Sequence, residues 1–242
     1  IFFGGSWKKG EITHLSPHAD TLAKLGMVAM TPDYRTYNDE GAEPWQCVED
    51  AKSAMRYVRT HAAEFGIDPN RIAAGGGSAG GHLAAALGTV TKFNAPDEDS
   101  TVSIIPSALV LFNPVYDNGP DGYGFDRVED YWEDISPMHN IDENHPPTIH
   151  FWGSEDKWLP TPFNTYDSLL KENNVPSHFH VWEGKGHGFF NYSENTSNGF
   201  EDTFESSNPY YDTTIALSIA FLDSLGMFEQ AEPNVGVFLD GN

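Results

Sequence analysis

The sequence is poor in cysteine and in positive charge, and it lacks a long apolar run. Cys47 is the one cysteine among 242 residues, so no internal disulfide can form and a Cys/His zinc site is not expected. Thirteen basic residues stand against 36 acidic ones, which gives a net charge of −23. Because phosphate backbones are bound by clusters of Lys and Arg, we expect no nucleic-acid partner. No stretch approaches the roughly 20 consecutive apolar residues that a membrane span needs, so no membrane span is expected.

A glycine-rich turn is the most informative feature that the sequence does contain. Residues 73–82 read AAGGGSAGGH, and the pattern Gly76-x-Ser78-x-Gly80 lies between a short apolar strand and an alanine-rich helix. A tight strand-to-helix turn exposes its serine, and the residues two positions away must lack side chains for the turn to close. Glycine loops that bind cofactor phosphates follow other patterns. We therefore predict that Ser78 is a nucleophile, with a merely structural turn as the alternative, and we expect no cofactor. We also expect no metal, with calcium at the acidic loops as the alternative.

A serine nucleophile needs a base and an acid that orients the base, and this architecture requires the order serine, acid, histidine. Asp156 lies on the loop that follows a predicted buried strand at 149–152. His187 is flanked by glycines on the loop after the predicted strand 178–182. These separations leave room for strand-helix units, so the three side chains can converge at one edge of a sheet. Ser78, Asp156 and His187 are the predicted catalytic residues.

Each of these predictions has a rival residue. His82 is close to Ser78 in sequence but lies one helical turn away, where it is expected to pack or to cap. Glu155 neighbours Asp156, yet adjacent positions on a turn face different ways, so only one of the two can meet an imidazole. Cys47 as a nucleophile would lack the glycine turn, and it is expected to pack near the start of a helix.

The first residues of the chain supply backbone donors. Ile1–Phe3 reads as an apolar strand, and Gly4, Gly5, Ser6 and Trp7 follow it as a glycine turn. Acyl transfer passes through a tetrahedral oxyanion, and each preorganised donor aimed at it contributes on the order of 3 kcal/mol. The backbone amides of Gly4, Gly5 and Ala79 are therefore the predicted oxyanion hole. A turn that only connects a strand to a helix is the alternative.

Several segments resemble one family. Residues 3–7, FGGSW, look like a variant of the HGGGW oxyanion segment of hormone-sensitive-lipase-like esterases, and residues 77–81, GSAGG, are similar to their GDSAGG elbow. Segments 32–35, 50–59 and 66–72 also look like family segments. The resemblance implies an α/β-hydrolase fold and a serine carboxylesterase. Phe3 stands where the family usually has histidine, Gly77 where it has aspartate, and Ser6 where it has a third glycine.

The alternation of predicted elements agrees with that fold. Apolar β-type runs alternate with helical patterns, which predicts a doubly wound, mostly parallel sheet with helices on both faces in one α/β domain. The resemblance implies that residues 1–242 form a single α/β-hydrolase catalytic domain. The predicted strands are Ile1–Phe3, Met27–Met30, Ile72–Ala74, Ala108–Phe112, Thr148–Trp152 and His178–Trp182. The predicted helices are Pro17–Leu25, Val48–Phe65, Ala79–Val90, Pro162–Asn173 and Pro209–Leu225. Family members usually begin with two more strands, so we expect the chain to be a processed or truncated part of a longer polypeptide, with the first strands missing.

The expected substrate is a small-molecule or carbohydrate ester with a short acyl group, such as an acetylated sugar. The candidate substrate contacts lie near predicted site loops, with core or rim packing as the alternative: Trp7, Tyr123, Trp158 and Phe189.

Two other functions stay open: a serine peptidase of the prolyl-oligopeptidase-like class, and a non-catalytic binding protein on the same fold. The oligomeric state is not indicated by the sequence. The acidic surface favours a secreted or periplasmic location, against the alternative of ordinary bacterial acidity.

Overall fold

The computed structural model describes residues 1–192 and 208–228. Within them, four parallel strands form one sheet in the order β1-β2-β3-β4. The strands are β1 Ala73–Gly77, β2 Ala108–Phe112, β3 Thr148–Gly153 and β4 Ser177–Trp182. Gly77 pairs with Phe112, Phe112 with Phe151, and Gly153 with Trp182. The carboxyl ends of the four strands therefore lie at one edge of the sheet, and the loops that follow β1, β3 and β4 meet there.

Helices cover both faces of this sheet. The α-helices are α1 Ser16–Lys24, α2 Tyr37–Glu40, α3 Pro44–Thr60, α4 Ala62–Phe65, α5 Ala79–Thr89, α6 Trp132–Ile135, α7 Thr165–Glu172 and α8 Pro209–Ser224, and two 3-10 turns span Phe125–Arg127 and Pro137–Asn140. Side chains alternate along β2: Leu109 and Leu111 pack with α3, α5 and α7, whereas Val110 and Phe112 pack with α1 and α8. The predicted fold class is confirmed. None of the helices in the described ranges is both long and apolar enough to cross a membrane.

The first part of the chain differs from the predicted strands. Ile1–Phe3 contributes a single bridge, from Phe2 to Gly76, and Met27–Met30 forms no strand. The Phe2 amide donates to the Gly75 carbonyl oxygen (2.8 Å), and the Ile1 backbone nitrogen donates to the Met30 carbonyl oxygen (2.7 Å). Both segments thus lie beyond β1, on the side away from β2, but a regular ladder does not form between them. The early segments therefore extend to one side of β1, whereas β2, β3 and β4 follow on its other side. This change of direction is what a doubly wound sheet requires.

Some helices begin or end at other residues than predicted, because local capping interactions determine these ends. α3 begins at Pro44, earlier than the predicted Val48, because proline suits the first helical position and the Gln46 side chain accepts the Glu43 amide (2.9 Å). The helix stops at Thr60, and the short α4 ends at Gly66 in the left-handed conformation (φ 67°). α7 begins at Thr165, three residues later than predicted, after a turn in which its amide bonds to the Pro162 carbonyl oxygen (3.0 Å).

Four buried histidines belong to the core rather than to the surface: His18, His82, His145 and His150. Loss of hydration lowers the pKa of His82 and of His145 to about 4 and that of His18 to about 3. Burial also lowers the pKa of His150, whose Nδ1 accepts the Trp152 indole N–H at 3.2 Å. These rings are therefore neutral at pH 7 in the folded protein.

This burial predicts a loss of stability in mild acid. Histidines of the unfolded chain titrate near 6.5, above their folded values, so between about pH 6.5 and 4 the unfolded state binds more protons and the free energy of unfolding falls as the pH decreases. We expect the urea midpoint at pH 5 to lie clearly below that at pH 7, measured in 1 M NaCl so that surface repulsion is screened. The exposed His178 gives a control, since H178Q should leave this difference unchanged. Equal midpoints at the two pH values would contradict the expectation.

Candidate active site

Ser78 lies on a sharp turn between β1 and α5. Its backbone has φ 56° and ψ −120°, a conformation that residues with side chains rarely adopt. The turn closes because Gly76 and Gly80 approach each other: a Cβ on Gly76 would overlap the Gly80 carbonyl group, and a Cβ on Gly80 would overlap the Phe2 carbonyl group. The Ser78 hydroxyl is therefore held, partly exposed, at the carboxyl edge of the sheet.

The structure brings the three predicted catalytic residues together. His187 Nε2 lies 2.8 Å from Ser78 Oγ, and His187 Nδ1 lies 2.6 Å from Asp156 Oδ2. Asp156 Oδ1 accepts the Trp158 amide at 2.9 Å, which fixes the carboxylate. The Asp156 side chain is 4% exposed and that of His187 is 22% exposed. With the Nδ1 proton donated to Asp156, Nε2 is free to accept the proton of the serine hydroxyl.

The rival residues are engaged elsewhere. His82 is fully buried; its Nδ1 accepts the Trp7 indole N–H (3.3 Å), and its Nε2 donates to a main-chain carbonyl oxygen (3.0 Å). Glu155 is exposed, and the carboxylate that bonds to His187 Nδ1 is that of Asp156. Cys47 is fully buried inside α3, and burial raises the pKa of its thiol to about 12, so no thiolate is present at neutral pH.

The predicted oxyanion donors divide into two groups. The amides of Gly5 and Ala79 have no hydrogen-bond partner among residues 1–192 and 208–228, and the same holds for the amide of Ser6. The Gly4 amide instead donates to His14 Nδ1 at 3.2 Å. The prediction for Gly4 is therefore corrected, because an N–H that is bonded to an imidazole is not free to meet an oxyanion.

Asn113, which directly follows β2, is a site residue that the sequence reasoning missed. Its side chain is fully buried, with Nδ2 donating to the His187 carbonyl oxygen (2.5 Å) and Oδ1 accepting the Gly153 amide (2.9 Å). It thus joins the start of the Asp156 loop to the His187 loop. The one signal in the sequence was an asparagine directly after the predicted strand Ala108–Phe112. Its positive φ of 38° is visible only in the structure.

Two of the four predicted substrate contacts are buried. Trp7 is 0% exposed and Phe189 is 8% exposed, so both pack in the core and neither offers a surface to a substrate. These two predictions are corrected; the physical reason is the large apolar area that an aromatic ring removes from water when it is buried. Tyr123 is partly exposed and its hydroxyl lies 2.6 Å from Ser6 Oγ, whereas Trp158 is 65% exposed beside the Asp156 loop.

Comparison with known proteins agrees with this geometry. A protein-family model described as BD-FAE matches residues 1–108. The chain is 38% identical to Thermogutta terrifontis esterase 2, seen in a structure phosphorylated by paraoxon, with a TM-score of 0.82 over 93% of this chain and 81% of that chain. The chain belongs to the hormone-sensitive-lipase-like esterases of the α/β-hydrolase fold. The predicted family resemblance is thus confirmed.

Two curated relatives are similar to this chain over part of their length. The probable carboxylic ester hydrolase LipM of Mycobacterium tuberculosis is 29% identical over 65% of this chain and 40% of its own length. The acetylxylan esterase of Xylanibacter ruminicola is 25% identical over 77% of this chain and 39% of its own length. The chain therefore spans about 40% of the length of these relatives.

The departures from the family pattern have structural explanations. A Cβ on Gly77 would lie 2.6 Å from the Phe190 ring, so the usual aspartate has no room beside that ring. Phe3 stacks on Tyr34 with ring centroids 4.0 Å apart, where the family usually has histidine. Ser6 adopts a left-handed backbone (φ 61°) that a glycine would adopt without strain.

No group of three or more His, Cys, Asp or Glu side chains in the described part of the chain is arranged to hold a metal ion.

The position of Asn113 predicts a role in aligning the acid and the base. Replacement by alanine removes both hydrogen bonds that join the two loops, so we expect N113A to lower kcat for an ester substrate by about 10- to 100-fold, since small misplacements of catalytic groups are costly. Asn70→Ala, in an exposed turn, is the matched control and should keep wild-type kcat. Steady-state kinetics and circular dichroism on both variants check this; a folded N113A with wild-type kcat would contradict it.

Proposed function

We propose that this protein hydrolyses carboxylic esters of short acyl groups through an acyl-serine intermediate. The observation that carries the proposal is the continuous path of hydrogen bonds from Asp156 through His187 to Ser78, with lengths of 2.6 and 2.8 Å. Family membership supports it, as does the phosphorylation of Thermogutta terrifontis esterase 2 by paraoxon. Ser78, Asp156 and His187 are the proposed catalytic residues.

Acylation begins with the hydroxyl of Ser78. His187 Nε2 takes the hydroxyl proton as Oγ attacks the ester carbonyl carbon, and Asp156 stabilises the imidazolium that forms. The carbonyl oxygen becomes an oxyanion, which the free amides of Gly5 and Ala79 are proposed to bind. When the intermediate collapses, the bond to the alkoxy group breaks and His187 gives its proton to the leaving alcohol.

Deacylation repeats these steps with water. His187 takes a proton from a water molecule, whose oxygen attacks the acyl carbon, and the second tetrahedral intermediate uses the same amide donors. Its collapse breaks the bond to Ser78 Oγ, which regains a proton from His187, and the carboxylic acid leaves. Electron pairs and protons balance without a cofactor or a metal, so the chain's own residues suffice for the reaction.

A small cavity is the argument for a preference for short acyl groups. Its volume is about 10 Å³, and its lining includes Val115, Tyr123 and Leu159. The Val115 amide donates to the Ser78 carbonyl oxygen (3.1 Å), and Leu159 lies three residues after Asp156, so two of the lining residues link the cavity to the turn of the nucleophile and to the acid loop. A cavity of this size holds about one water molecule, and a long acyl chain would require these side chains to move.

An acetyl ester of a carbohydrate is the finer proposal. The similarity to an acetylxylan esterase supports it. Trp158 supports it as well, because an exposed indole next to the acid loop gives a flat apolar surface on which a sugar ring can stack.

The proposed triad predicts large losses on substitution. Ser78→Ala or His187→Ala should each lower kcat for p-nitrophenyl acetate by several orders of magnitude, on the order of 10⁴ or more, because the members of a triad act as a unit. Paraoxon should inactivate the wild type and label Ser78, as read by mass spectrometry, and should leave Ser78→Ala unlabelled. The exposed Ser103→Ala gives a control with wild-type kcat. Losses smaller than tenfold in both triad variants would refute the assignment.

The cavity predicts the acyl preference. We expect kcat/KM for p-nitrophenyl acetate to exceed that for the octanoate by about 10²-fold, since one misfitting methylene in an apolar pocket costs about 1–3 kcal/mol and side chains then move to admit the rest of the chain. Leu159→Ala enlarges the cavity and should raise butyrate turnover relative to acetate, whereas Ile105→Ala, on a distant exposed surface, should not.

Acetate release from acetylated xylan decides the carbohydrate proposal: no release by an enzyme active on p-nitrophenyl acetate would exclude it.

A further inference from the structure

His14 lies between two parts of the proposed site. Its Nδ1 accepts the Gly4 amide at 3.2 Å, and its Nε2 lies 3.0 Å from Asn191 Oδ1. Because Nδ1 accepts, the ring proton is on Nε2, which donates to the Asn191 side-chain oxygen. Burial lowers the pKa of His14, in agreement with a neutral ring. The imidazole therefore connects the oxyanion loop, residues 4–8, to the segment that follows His187.

The Gly4 end of the oxyanion loop packs directly on the nucleophile. A Cβ on Gly4 would lie 3.2 Å from Ser78 Cβ and 2.9 Å from the Gly77 carbonyl oxygen. Any shift of Gly4 would also move the next amide, that of Gly5, relative to Ser78. Oxyanion donors act over about 2.7–3.1 Å, and a displacement of about 1 Å can cost about 10²-fold in rate. The position of Gly4 therefore matters for catalysis although its own amide is not free.

The oxyanion loop holds a conformation that needs external support. Gly5, Ser6 and Trp7 have φ values of 137°, 61° and 57°. A positive φ is strained at Ser6 and Trp7, which carry side chains, and such strain persists only where the surrounding structure fixes it. Arg127 donates to the Ser6 carbonyl oxygen (2.6 Å) and the Tyr37 amide donates to the Trp7 carbonyl oxygen (3.0 Å), which fixes the far end of the loop. His14 fixes the end beside Ser78.

We propose that His14 is a positioning residue for ester hydrolysis: its neutral ring holds Gly4 against Ser78 so that the Gly5 amide meets the oxyanion, and it ties this loop to Asn191. The inference rests on the proposed function. Because the Gly5 amide acts on charge that develops only in the transition state, loss of His14 should lower kcat and leave KM nearly unchanged.

Two variants separate positioning from packing. H14F keeps a ring and removes both hydrogen bonds, whereas the side-chain oxygen of H14N can occupy the place of Nδ1 and accept the Gly4 amide. We expect H14F to lower kcat for p-nitrophenyl acetate by about 10- to 100-fold with KM within about threefold, and H14N to keep kcat within about threefold of the wild type. The exposed His178→Asn is the matched control with unchanged kcat and KM.

Each outcome decides the proposal. A folded H14F with kcat within twofold of the wild type overturns it, and so does an equal loss in H14F and H14N, which would indicate ring packing alone. If H14F does not fold, H14Q replaces it, because the glutamine amide reaches the place of Nε2 but not that of Nδ1; equal kcat in H14Q and H14N then overturns the proposal. A wild type without esterase activity overturns the proposed function as well, whereas an active wild type with an unaffected H14F overturns only the role of His14.

Discussion

The close approach of three backbones around Ser78 is the constraint on which the site depends. The end of β1, the start of α5 and the first strand segment meet so tightly that Gly76, Gly80 and the Phe2 carbonyl group leave no room for a Cβ between them. This contact forces Ser78 into its left-handed conformation and at the same time sets the distance between the nucleophile and the oxyanion loop. One packing contact thus determines both the backbone conformation of Ser78 and its distance from the oxyanion loop, which is why the glycines surround the serine on both sides.

The parallel sheet supplies the remaining alignment. Since β2, β3 and β4 are in register and end at the same edge, the loops that carry Asp156 and His187 start from neighbouring points. Hydrogen bonds to Asn113 then reduce the freedom of both loops. In a chain with a net charge of −23, a buried carboxylate beside the nucleophile is tolerable because the His187 N–H and the Trp158 amide satisfy its oxygens.

Sequence patterns predicted the parts of the molecule that are governed by local rules. The glycine turn around Ser78, the apolar β-type runs that became β2, β3 and β4, and the loop positions of Asp156 and His187 all follow from short-range chemistry, and the fold class follows from their alternation. What could not be predicted depends on partners distant in sequence. Whether Met27–Met30 forms a ladder is decided by its neighbours, and whether the Gly4 amide is free is decided by His14, ten residues away. The burial of Trp7 is likewise decided by His82 and Tyr123, which its own segment does not reveal.

The departures from the family pattern argue that the site is adjusted as a unit. Gly77 cannot carry an aspartate while Phe190 occupies the adjoining space, and Phe190 directly follows Phe189 in the loop after His187. Ser6 accepts the strain of a positive φ, and its hydroxyl gains a partner in Tyr123, which borders the proposed acyl cavity. The elbow thus packs against the histidine loop, and the oxyanion loop bonds to the wall of the proposed acyl cavity. Because each of these contacts joins segments far apart in sequence, replacing one member alone would leave a clash at Gly77, a void at Phe190 or an unpaired hydroxyl at Ser6 or Tyr123, close to the reacting atoms.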